Sequence, residues 1–171
     1  MGDLAVSCNW YCIYVKSRHE FKVFERLTKA GIEAFLPAVE RLRRWKDRKK
    51  LVKFPLFPGY LFVYIEKSYE LMLRVLKTPG VVSFIKNPKG EPEPVPEDQI
   101  IPLKKAIENN KDIDPYPYLK EGQEIRIKRG PLAGVKGILK KKEKEHYLIV
   151  SIHILQRSVS IRLDASEVEL V

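Results

Sequence analysis

The chain carries acids, histidines and thiols, and their spacing decides what chemistry they could do. Glu91, Glu93, Glu97 and Asp98 crowd the segment "KNPKGEPEPVPED". A general acid–base pair needs an enclosed site that separates two pKa values. A Pro-rich turn without a neighbouring His or Cys offers none. Ser, His and Asp occur without a nucleophile elbow of the form G-x-S-x-G, and His19, His146 and His153 are scattered. Cys8 and Cys12 are the only cysteines. No further ligand spacing accompanies them, so they read as ordinary thiols in a reducing cytoplasm and not as a metal site or disulfide framework. Gly130, Gly134 and Gly137 fall between short strands, where their spacing signals a turn and not a nucleotide-binding loop. Catalytic residues, a metal and a cofactor are therefore not expected, and the chain is not read as an enzyme.

What remains is the chemistry of binding. The formal net charge is +10 and the isoelectric point about 9.5. Such a surplus favours polyanions, because phosphates attract Lys and Arg and release counterions on contact. The charge concentrates in "RLRRWKDRKK", where Arg43, Arg44, Lys46, Arg48, Lys49 and Lys50 are candidate nucleic-acid contacts. A solvated basic face is the alternative. Directly after it comes the aromatic "FPLFPGYLFVYI". No run of about 18 apolar residues is present, so no membrane span is expected. "MGDLAVSCNWYC" lacks the basic and apolar regions of a signal peptide.

These residues need elements to position them. "WYCIYV" reads as a strand, and Ser17 with Glu20 as a capping box opening a helix from about Arg18 to Ala30, stopped by Gly31. "IEAFLP" is a second strand. The basic run reads as a hairpin extension or mobile loop, and the residues after Gly59 as a strand. Ser68 can cap a second helix whose apolar side holds Tyr69, Met72, Val75 and Leu76. "VVSFI" is another strand, and a third helix spans about Glu97 to Glu108. "NNKDIDPYPY" breaks all periodicity. The reading places an N-terminal domain at 8–109, a linker at 110–118 and a second domain at 119–171. The fold class is α+β: an N-terminal α/β sandwich with a mainly antiparallel sheet and flanking helices, then a small five-stranded β-barrel. "RGPLAGVKG" is a sharp turn between barrel strands, or a backbone surface for RNA or a partner.

"WYCIYVKSRHEFKVFERL", "GIEAFLP", "PLFPGYLFV" and "TPGVVSFI", in that order, resemble the N-terminal domain of the NusG family of transcription elongation factors. "EGQEIRIKRGPLAGVKGIL" resembles the KOW motif, and "VSIHILQRSVSIRLDASEVEL" the rest of that family's C-terminal barrel. The resemblance spans about Trp10 to Leu170. It implies a monomeric, non-catalytic factor whose N-terminal domain docks on the clamp helices of the largest RNA polymerase subunit and suppresses pausing. It implies that the barrel recruits Rho, a ribosomal protein or RNA.

Carried over by position, the clamp-helix surface includes Phe57, Tyr60 and Phe62, with Trp10 and Tyr14 close to it. Core packing is the alternative for each, and strand alternation leaves Phe62 open between the two. Lys16, Arg18 and Arg26 fall where relatives touch the non-template DNA strand, with a solvated helix face as the alternative, and nascent RNA is a second polyanion for the basic residues. Leu71 to Arg74 fall where relatives touch the opposite jaw of the cleft.

Ile154, Leu155 and Arg157 belong to the barrel's partner surface, where "ILQR" replaces the family's usual "IFGR". Loss of the aromatic and the glycine implies altered affinity for Rho or the ribosomal protein. With the basic run, it points to the operon-specific paralogs of the UpxY, LoaP and RfaH type. A housekeeping NusG-like factor and a ribosome-associated RNA-binding KOW protein are the competing readings.

Overall fold

The aromatic run that opens the chain forms strand β1, Cys8–Val15, inside an antiparallel sheet of order β2-β5-β1-β6. The computed structural model describes residues 7–142 and 144–170; residues 1–6, where a signal sequence was sought, and Val171, the end of the expected barrel, lie outside them. The chain divides into two compact units, Met1–Leu36 with Phe57–Glu97, and Pro37–Leu56 with Asp98–Val171.

In the first unit β1 is flanked by β5 (Tyr60–Glu66) and β6 (Val81–Phe84), with β2 (Glu33–Phe35) outside β5 and the short β7 (Pro94–Val95) beside β1. Strand alternation sorts the side chains. Tyr11, Ile13 and Val15 of β1 join Leu61, Val63 and Ile65 of β5 in one core. That core receives Val23 and Leu27 from α1 (Glu20–Lys29) and Val75 from α2 (Tyr69–Leu76). Trp10, Cys12 and Tyr14 alternate to the other face, where they meet Tyr64, Phe62 and Tyr60 in cross-strand register.

Both helix ends of α1 show how local sequence and tertiary structure compete. Its C-terminus follows the sequence: Gly31 N–H donates to Thr28 O at 3.0 Å and Ile32 N–H to Leu27 O at 3.0 Å. This pair of hydrogen bonds satisfies carbonyls that the helix leaves open. Its N-terminus does not follow it. The helix starts at Glu20, its N-cap His19 makes no side-chain capping bond, and Arg18 takes a φ of 62°. The expected Ser17–Glu20 capping box is absent because Glu20 sits at the first helical position and its carboxyl group is used elsewhere. Ser68 does cap α2, accepting from Leu71 N–H at 3.1 Å. Tyr69, expected on the apolar side of α2, is instead 84% exposed.

The second unit contains the basic run, a helix and a second sheet. The run forms an antiparallel ribbon, β3 (Ala38–Trp45) and β4 (Arg48–Pro55), joined by Lys46 and Asp47. Helix α3 (Glu97–Glu108) buries Ile100, Leu103 and Ala106. The second sheet is antiparallel, of order β13-β9-β10-β11-β12-β8. Its strands are β8 (Ile113–Tyr116), β9 (Glu124–Ile127), β10 (Lys136–Lys142), β11 (Glu145–Ile152), β12 (Arg157–Leu163) and β13 (Val168–Leu170). Gly130 and Gly134, both at φ +86°, fold the "RGPLAGVKG" turn.

Five strands were expected, and the sixth, β8, comes from the segment read as linker. Its two prolines and polar start hid a strand, since Pro115 suits a sheet edge. β8 pairs with β12 from Ser158↔Tyr116 to Ile161↔Ile113. A buried serine pair extends the attachment. Ser151 and Ser158 oxygens lie 2.6 Å apart; Ser151 Oγ donates to Leu119 O at 2.8 Å, and Ser158 Oγ accepts from Leu119 N–H at 3.0 Å. Among the described residues, no helix is long and apolar enough to cross a membrane.

Candidate functional site

The face of the first sheet opposite α1 and α2 is an aromatic surface graded from exposed to buried. At one end Tyr14, 41% exposed, lies beside the half-buried Tyr60, with ring centroids 5.5 Å apart. Further along, Phe62 stacks on Phe35 at 6.3 Å, and Trp10 contacts Tyr64 at 5.1 Å. Phe62 and Phe57 are 0% and 2% exposed, and Trp10 is 5% exposed. The structure therefore places three of the five aromatic candidates in the interior. Tyr14 with Tyr60 is the accessible part of this face.

The turn before Tyr60 is held by several hydrogen bonds. Gly59 takes a φ of +90°, and a Cβ there would stand 3.1 Å from Tyr14 Cε2. Any larger residue would be strained and would push the Tyr14 ring. Gly59 O accepts from Val15 N–H at 2.8 Å, and Tyr60 N–H donates to Phe57 O at 3.0 Å. Gly59 N–H donates to Oε1 of Glu20, a side chain only 6% exposed. This is the use that removes Glu20 from its expected capping role. Sequence reasoning missed it because 39 residues separate the partners. Glu20→Ala leaves a buried N–H without an acceptor and is expected to cost about 1–3 kcal/mol. Glu20→Gln, which keeps an acceptor oxygen, should recover most of that stability in a urea melt.

Two of the expected nucleic-acid residues near α1 are available and one is engaged. Lys16 and Arg18 are exposed. Arg26 Nη1 donates to Pro79 O at 2.7 Å, tying α1 to the turn before β6. Arg74, in the segment matched to the opposite jaw, donates to Ala30 O at 2.8 Å and so caps α1. In the second unit Arg43, Arg44, Lys46, Arg48, Lys49 and Lys50 are all exposed on the β3–β4 ribbon. The Arg43 guanidinium lies 4.5 Å from the Phe54 ring centroid. Arg41, outside the candidate set, anchors the ribbon's base: its Nη2 donates to Ile113 O at 3.0 Å and pairs with Asp114 Oδ1.

Burial pushes the Cys12 thiol well above its ordinary pKa, which keeps it protonated and unreactive. Among the described residues, no group of three or more His, Cys, Asp or Glu could hold a metal ion.

Residues 8–104, more than half of the chain, match the protein family described as transcription termination factor nusG. The chain belongs to the NusG family. It is similar to the transcription termination/antitermination protein NusG of Pseudomonas aeruginosa, at 29% identity over 175 residues, covering 95% of this chain and 98% of that one. The corresponding protein of Staphylococcus aureus is 26% identical over 182 residues, with 99% of each chain covered. In fold, it is similar to a solved structure titled "Domain interaction in Thermotoga maritima NusG", with a TM-score of 0.56, 24% identity, and coverage of 96% and 98%.

Against that NusG background the barrel's "ILQR" can be placed. Ile154 and Leu155, both half-buried, lie on a short 3-10 turn, His153–Leu155, and Arg157 opens β12. Tyr118 packs edge-on against His153, with its hydroxyl 2.9 Å from Nδ1. Gln156, where the family resemblance has glycine, takes a φ of 50°. A left-handed L-residue costs roughly 1–2 kcal/mol. Gln156→Gly is expected to raise stability by about 1 kcal/mol, read as a higher thermal midpoint of the full chain.

Proposed function

We propose that this chain is a transcription elongation and antitermination factor that rides on RNA polymerase. The observation that carries the reading is the Tyr14–Tyr60 pair, one ring exposed and the other half-buried, on a NusG-family sheet beside a turn fixed by Glu20 and Gly59. Aromatic anchors on rigid strands lose little side-chain freedom on binding and concentrate interface energy. This pair is the dock for the clamp helices of the polymerase's largest subunit, with Lys16 and Arg18 directed to the non-template DNA strand. The β3–β4 ribbon adds a nucleic-acid contact. The barrel recruits a partner through Ile154, Leu155 and Arg157, with altered affinity for Rho or a ribosomal protein. Operon specificity is supported by the basic ribbon together with Leu155 and Gln156.

The test is elongation by purified polymerase on a long template carrying pause sites and terminators. Added protein should shorten pauses and raise readthrough. A protein that neither binds polymerase nor changes either quantity would refute the proposal.

A further inference from the structure

The β3–β4 ribbon holds like charges directly opposite one another, an arrangement that destabilises a strand pair. In its register Arg43 faces Lys50, and Arg44 faces Lys49. Adjacent residues alternate between faces. The two repelling pairs therefore lie on opposite faces of one ribbon, and Arg48 shares the face of Arg43 and Lys50. Within Arg41 to Lys53 the only acid is Asp47, in the connecting turn. A two-stranded ribbon is marginal by itself, so this charge pattern works against its own folding. A ligand that places anions along both faces would relieve the repulsion.

Shape narrows that ligand. From Leu42↔Leu51 to Trp45↔Arg48 the ribbon advances three register steps. At about 3.3 Å per residue this is about 10 Å, close to the depth of roughly 8.5 Å of the B-form major groove, which is about 12 Å wide and admits a two-stranded β-ribbon. The groove has phosphates on both walls. The major groove of A-form RNA is deep and narrow. A single strand follows one face and stacks on exposed aromatic rings. Among the described side chains of the ribbon, the Phe54 ring is half-buried and carries the Arg43 guanidinium above it. The base is already fixed by Arg41 on Ile113 and Asp114, which holds the outer half in place for insertion.

We infer that the ribbon enters the major groove of double-helical B-form DNA, with Arg43, Arg48 and Lys50 toward one phosphate wall and Arg44 and Lys49 toward the other. This rests on the reading of the ribbon as a nucleic-acid contact and specifies its ligand.

The experiment measures binding of the full chain, by fluorescence anisotropy across a salt series, to a mixed-sequence DNA duplex, to one strand of it, and to the RNA duplex of the same sequence. The DNA duplex should bind most tightly. Lys49→Gln and Lys50→Gln should each weaken it by about five- to tenfold near 0.1 M salt and each lower the log–log salt slope by about 0.9. If only one of the two substitutions has an effect, the contact is one-faced and the inference fails. Tighter binding to single-stranded DNA or to the RNA duplex also overturns it, while leaving the ribbon a nucleic-acid contact. Binding that ignores both substitutions removes the broader reading as well.

A second variant separates binding from folding. Lys49→Glu with Lys50→Glu places a carboxylate opposite Arg44 and opposite Arg43, so the ribbon itself gains attraction. Duplex binding should be lost with no fall in melting temperature. Retained binding would overturn the inference.

Discussion

Phe62→Ala lowers stability by about 3–5 kcal/mol and the melting temperature by about 6–20 °C. The side chain is 0% exposed, lies opposite Cys12 on one neighbouring strand and Phe35 on the other, and stacks on the Phe35 ring. Removing the ring forfeits its transfer free energy and leaves a cavity that the paired strands cannot collapse into. Circular dichroism melts of the full chain, with urea titration as a second measure, read the effect. Tyr60→Ala serves as the comparison. It lies two residues away on the same face of the same strand, yet is partly exposed, so its melt should move by only a few degrees. Equal melts for Phe62→Ala and the unaltered protein would show that the aromatic face is not a core.

Tyr14→Ala combined with Tyr60→Ala should weaken polymerase affinity about 30-fold or more while leaving the fold intact. Truncating an aromatic that is an interface hot spot costs about 2 kcal/mol or more, and each 1.4 kcal/mol is about tenfold. The pair is at the exposed end of the aromatic face, and Gly59 and Glu20 hold its backbone independently of either ring. Binding of the variant to core RNA polymerase, followed by its activity in the elongation assay, gives the comparison. Unchanged affinity in a chain with an unchanged melt would place the dock elsewhere. Phe62→Ala should damage binding only as far as it damages folding, which makes the two variants diagnostic together.

Strand alternation was readable from "WYCIYV" and "GYLFVYI", because a period of two needs no knowledge of distant residues. It could not say how deep each aromatic sits. Tyr60 and Phe62 share a face yet differ in exposure, and Phe62 has Phe35 stacked on it from another strand. Gly31 ended α1 as expected, since the bonds from Gly31 and Ile32 that close the helix are local. Glu20 did not cap α1, because a donor 39 residues away competed for its carboxyl group. Arg41 looked like one more cation in a basic run, and its tie to Asp114 spans 73 residues. Local signals thus set strand alternation and the end of α1, whereas the start of α1 and the assignment of individual polar side chains were decided by long-range partners.

The attachment of β8 and Leu119 to β12 changes what counts as a separable barrel. A fragment beginning at 119 would retain every strand from β9 onward but lose β8. The backbone groups of Ser158 to Ile161 that β8 occupies would then face solvent as an open sheet edge. Open edges recruit strands from other molecules, and native proteins cover them for that reason. Such a fragment should self-associate, whereas one beginning before Ile113 keeps its edge covered. The proline-bearing segment is thus a guard against aggregation as well as a connection.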